Sequence, residues 1–129
     1  MAAGIYDILI EQGADWRLFF AYKNADGLPV NLAGYTARMQ VRESATGRTK
    51  LFELTTENGR IFIDGPNGTV EVTIPASLSQ PLVIDPKKLA WIDGKMVLQW
   101  VYDPELLSPD GQVTRLLQGA AHFTPEVTR

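Results

Sequence analysis

Few side chains in this 129-residue sequence are of types that do chemistry. It has one histidine, His122, and no cysteine. A metal-binding histidine needs further ligands at short spacing, and neither H-x-H nor H-E-x-x-H occurs. A Ser-His-Asp site would be announced by a turn such as G-x-S-x-G, which is missing too. His122 therefore reads as a structural residue in a strand. Asp64-Gly-Pro-Asn67-Gly offers oxygen atoms, but it lacks the alternating acidic spacing of a calcium loop and reads as a turn. No Gly-rich phosphate loop is present. The expectation is a protein with no catalytic residue, no cofactor and no metal.

What remains is surface chemistry. Arg38, Arg42, Arg48 and Lys50 fall close together, and the first two share a strand face. Two readings are open: a solvated face, or a contact with an acidic surface on a neighbouring subunit. Trp16, Trp91 and Trp100 could form a platform on which sugar rings stack. Two of them lie on strand faces that look like core, so burial is the expected outcome.

The stretch that must position these groups is Val30 to Arg42. Ala37, Met39 and Val41 alternate with Thr36, Arg38, Gln40 and Arg42, which is the pattern of a half-buried strand. Gly34 stands just before it, where a turn can take positive φ. Six Asp-Gly or Asn-Gly pairs, beginning at Asp26, Asn58, Asp64, Asn67, Asp93 and Asp110, punctuate the chain as tight turns.

Between the turns, period-two runs predict strands over 5–10, 15–23, 36–42, 50–55, 61–63, 69–74, 95–102 and 113–123. Trp16, Leu18, Phe20 and Tyr22 take one face of the second, with Phe19 and Ala21 opposite, so it is expected to be covered on both sides. Met96, Leu98, Trp100 and Tyr102 share a face. So do Val113, Leu117, Ala121 and Phe123. Pro75, Pro81 and Pro86 exclude a long helix in the middle, and Asp85-Pro86 starts one helical turn over 87–91. Pro104 and Pro109 are read as bracketing a loop. Met39, Val41, Val72, Leu98 and Leu117 are the predicted core. About eight short strands make an all-β, single antiparallel β-sandwich with at most one or two short helical turns, over 1–129, ending in a short tail at 124–129.

The totals agree. The length suits one domain, and 45% hydrophobic with 21% charged residues is an ordinary globular mix. A net charge of −3 gives no electrostatic reason to expect nucleic acid as a partner. No apolar run approaches the ~18 residues of a membrane helix, and the N-terminus lacks the pattern of a secretory signal, so no membrane partner and cytoplasmic synthesis are expected.

Two pieces carry a resemblance. Gln12-Gly13, then Asp26-Gly-Leu-Pro-Val-Asn-Leu-Ala-Gly-Tyr-Thr-Ala-Arg-Met-Gln-Val-Arg42, resembles small bacteriophage tail and neck proteins. It is also similar to the N-terminal domain of phage baseplate upper proteins. Asp110-Gly-Gln-Val-Thr-Arg-Leu-Leu-Gln-Gly119, followed by Phe123-Thr-Pro-Glu-Val-Thr128, resembles the ending of the same proteins. The resemblance implies an immunoglobulin-like sandwich used as a virion part in the tail, baseplate or neck (collar). Its partners would be other virion proteins and copies of itself in a homo-oligomeric ring. It implies no enzyme activity. Arg38, Arg42, Gly34, Tyr35, Pro125, Glu126 and Val127 are the expected protein contacts. A capsid decoration protein and a carbohydrate-binding module are the alternatives.

Overall fold

The computed structural model describes residues 4–47 and 49–126. Arg48, in the basic cluster, and Val127, a candidate contact, lie outside the described residues. In chain order the strands are β1 (Gly4–Ile5), β2 (Ile8–Glu11), β3 (Trp16–Ala21), β4 (Thr36–Arg42), β5 (Lys50–Thr55), β6 (Ile61–Asp64) and β7 (Thr69–Ile74). A four-residue helix, α1 (Ala76–Ser79), and a 3-10 turn at Pro86–Lys88 follow. Then come β8 (Ala90–Ile92), β9 (Lys95–Leu107), β10 (Val113–Arg115) and β11 (Leu117–Thr124).

These strands form two sheets packed as a sandwich around one core. The smaller has the order β3-β7-β6. The larger runs β1-β11-β9-β4-β5, with β2 continuing β1 along β11 and with β8 and β10 added to β9. A sheet of three strands facing one built on β11-β9-β4-β5 is the strand order of a variable-type immunoglobulin sandwich. Most pairings are antiparallel, as expected. The exception is the N-terminal edge, where β1 and β2 run parallel to β11.

The core follows from alternation. Met39, Val41, Val72 and Leu98 are buried as predicted, with Ile10, Leu54, Ile74 and Phe123. At its centre Trp100 stacks on Phe123, ring centroids 4.5 Å apart, and meets Phe52 edge-on at 6.1 Å. Leu117 is a correction: it is half-buried at the margin of this core.

Other differences have local causes. The predicted first strand breaks at Tyr6-Asp7, because Asp7 turns its carboxylate to accept the Ala120 N–H at 3.0 Å. β3 is covered on one face only, and Phe19 is 63% exposed. Met96 is exposed because the start of β9 leaves the sandwich to pair with β8, and Val97 is buried instead. Trp91, expected in a helical turn, lies in β8 and is 71% exposed.

The largest correction is Pro104, which sits buried inside the 13-residue β9 rather than in a loop. Leu116, Leu117 and Gln118 face only Asp103 and Pro104 across the ladder, which is a β-bulge. The Pro104 carbonyl accepts the Leu116 N–H at this irregularity, so its missing N–H interrupts no regular ladder. The same bulge splits the predicted last strand and reverses its side-chain phase. Val113 is therefore exposed while Ala121 and Phe123 are buried.

Candidate functional site

The outer face of the larger sheet carries a ladder of alternating charges, and pairing register sets its rows. Thr55, Arg38, Glu105 and Arg115 form one row across β5, β4, β9 and β10. Glu53, Gln40 and Asp103 form the next. Lys50, Arg42 and Val101 form a third. The β4, β9 and β10 members of these rows floor an open groove of about 910 Å³, with Ile5 and Gln118 among its lining residues.

Each cation is tied down. Arg38 Nε donates to Glu105 Oε1 at 2.9 Å. Arg42 reaches Gln40 Oε1 through Nε and Nη2, at 2.9 and 2.6 Å, and the Gly47 carbonyl through Nη1 at 2.9 Å. Lys50 Nζ meets Glu53 Oε2 at 2.9 Å, and Gln40 Nε2 donates to the same oxygen at 3.1 Å. The Lys50 hydrogen bond, then that of Gln40, holds the Glu53 carboxyl below its ordinary range. Arg115 Nε lies 3.5 Å from Asp103 Oδ2.

Asp103 is the odd member. Burial pushes its carboxyl above the usual range and Glu105 adds repulsion, while Arg115, Arg42 and Arg38 offset part of both. The folded chain thus holds this proton more tightly than the unfolded chain. The group favours folding at acidic pH, and that contribution is lost as pH rises through the raised value. Asp103→Asn is neutral at every pH. It is expected to raise the melting temperature at pH 7, with the gain shrinking to nothing in acid, where wild-type Asp103 is neutral too. Scanning calorimetry of both proteins at the two pH values reads this; a variant that melts lower than wild type at pH 7 contradicts it.

The other expected contacts lie elsewhere. Gly34, at φ +81°, sits against Pro109, whose Cγ would be 3.0 Å from an added Cβ. Tyr35 packs partly buried against the core. Both lie at the Leu107 end of β9, because Thr36 pairs with Leu107. Pro125 and Glu126 lie at the opposite end, beyond the Phe123–Leu98 pair. There the Glu126 N–H donates to Gln12 Oε1 at 3.0 Å, and its carboxylate lies over Gly13. The structure therefore brings Arg38 and Arg42 together on one face and separates Gly34-Tyr35 from Pro125-Glu126.

The predicted site omits Asp103, Glu105 and Arg115. The first two flank Pro104 and went unseen because that proline reads as a loop residue. The three tryptophans form no platform: Trp100 is in the core, Trp16 is half-buried, and Trp91 stands alone on its hairpin. His122 lies in β11 between Gln99 and Leu9. Among the described residues no helix is long and apolar enough to cross a membrane. No protein-family model matches the chain, and no curated protein matches it significantly.

Proposed function

We propose that this chain is a structural virion protein of a tailed bacteriophage, an oligomeric tail, baseplate or neck (collar) component that bridges neighbouring subunits. The supporting observation is where the two phage-like stretches meet. Gln12-Gly13, from the first, holds Glu126 from the second. Gly34, from the first, packs on Pro109, next to the start of the second at Asp110. The residue types that carry the resemblance are thus those that pin both ends of one rigid sandwich. Such a body transmits load between neighbours, and the charged ladder on its outer face offers them a polar, shape-specific surface.

Deleting the gene from the phage that encodes it should abolish particle assembly, and the wild-type gene supplied in trans should restore it. The Arg38→Glu, Arg42→Glu double variant should fold yet restore assembly poorly, because it reverses two charges of that face. Infectious particles formed at normal yield without the gene would refute the proposal.

One observation favours a second reading, a carbohydrate-binding module. Trp91 is 71% exposed and stands directly opposite the exposed Met96. An indole so placed can stack on a sugar ring. Saturable quenching of its fluorescence by an oligosaccharide, lost in Trp91→Ala, would favour that reading.

A further inference from the structure

We propose that the free edge of β3 pairs with the same edge of a second copy of this chain, joining two three-stranded sheets into one of six. β3 has a strand neighbour, β7, on one side only. Its phase is set by the Tyr22 N–H, which donates to the Gly68 carbonyl at 2.7 Å, so the even residues of β3 address β7. From the other side, the Thr73 N–H donates to the Arg60 carbonyl, so the odd residues of β7 address β6. Both observations leave the N–H and C=O groups of Arg17, Phe19 and Ala21 pointing outward from the sheet. All three residues are exposed, and none of these outward groups has a hydrogen-bond partner among the described residues.

Three of the other edges are blunted. On β5 the Asn58 side chain acts as a substitute strand: its Oδ1 accepts the Thr55 N–H and its Nδ2 donates to the Glu53 carbonyl, both at 3.0 Å. β6 is short and turns outward only Ile61 and Ile63. The N-terminal edge is broken at Tyr6-Asp7. β3 has no proline, bulge or lysine, and Arg17 is its one charged residue; an open edge of this kind is a template for another strand.

The occupant follows from self-complementarity. An antiparallel pair centred on Phe19 sets Phe19 opposite Phe19 of the other copy and Arg17 opposite Ala21. This register uses the outward backbone groups of all three residues and opposes no like charges. A parallel, in-register pair would instead put Arg17 beside Arg17. On the outer face Phe19 and Phe62 flank Glu71 in one row, both exposed, and the seam makes that row continuous through both copies. On the inner face Leu18 meets Phe20 and Trp16 meets Tyr22. All four are partly buried residues that the second copy would cover further. A twofold pair does not close a ring by itself; it adds to the proposed assembly and stands on this edge whether or not the protein is a virion part.

Sedimentation velocity over a concentration series tests this, with the full chain expected to show a monomer–dimer equilibrium. Ala21→Pro removes an N–H that faces outward, a position where an edge strand tolerates proline. It should weaken the dimer about tenfold or more while leaving the circular dichroism spectrum unchanged. Phe19→Lys sets two like charges opposite one another and should do the same; it carries the test if the proline variant fails to fold. Because the chain has no cysteine, oxidised Phe19→Cys should give a covalent dimer and Phe62→Cys should not. A wild-type chain monomeric at every concentration, a dimer unaffected by both edge variants, or cross-linking at position 62 in place of 19 would each overturn the proposal.

Discussion

Trp100→Ala is expected to cost about 3–5 kcal/mol of folding stability, the range for emptying a large buried aromatic site. A domain of this kind has only ~5–15 kcal/mol to lose. The indole is stacked between sheets, on Phe123 at 4.5 Å and edge-on to Phe52 at 6.1 Å. Antibody domains of this architecture reinforce that region with a disulfide packed on a tryptophan. This chain has no cysteine, so no disulfide reinforces the region, and the packing of the three rings adds to the backbone ladders that join β11, β9, β4 and β5. Urea unfolding should show a large fall in midpoint with the slope unchanged. Trp91→Ala, at an exposed site, should fall within about 0.5 kcal/mol of wild type. Equal losses from the two substitutions would mean that the core is misplaced.

Gly119→Ala is the second large effect, expected to cost about 1–3 kcal/mol by overpacking. Gly119 lies where β1 gives way to β2 beside β11. An added Cβ there would meet the Tyr6 carbonyl group and lie 2.9 Å from Asp7 Oδ1. The Tyr6 carbonyl also accepts the Tyr102 hydroxyl. Forcing Tyr6 away would strip that buried hydroxyl of its partner, open it to water and move Ile5, part of the groove wall. Burial, reinforced by Asp7 and Tyr6, pushes the Tyr102 hydroxyl up to about 12. In the wild type it should therefore resist ionisation while ordinary tyrosines titrate near 10, and in the variant it should titrate with them. An unfolded chain ionises this tyrosine first, so wild-type stability should fall as pH rises from about 10 towards 12. Tyrosinate absorbance read with the unfolding curve checks both points; an unchanged titration and midpoint would contradict the account.

Alternation made most of the fold legible. Val70, Val72 and Ile74 are all buried on one side of β7, and Ala37, Met39 and Val41 on one side of β4. The turn signals also held: Asp93-Gly94, with both φ values positive, makes the two-residue hairpin between β8 and β9. What alternation could not reveal was a change of phase. One bulge opposite Pro104 both hid the proline inside a strand and moved Val113 to the surface. Half of the charged ladder was legible, because Arg38 and Arg42 alternate with Met39 and Val41. Asp103 and Glu105 were not, because they flank that proline, and Arg115 lies just before the bulge. The open edge of β3 was hidden for another reason. A strand with apolar residues at both phases reads as covered on both faces, and only the sheet order shows that Phe19 is left outside.

This sandwich, as proposed, is a part built into a phage particle. The most direct measurement is quantitative mass spectrometry of purified virions, with heads and tails fractionated. The account predicts the chain in several copies per particle, in a fixed ratio to the tail or neck proteins and absent from tail-less heads. Copies confined to heads would indicate a capsid decoration protein instead. Purified infectious particles that lack the chain altogether would contradict the account.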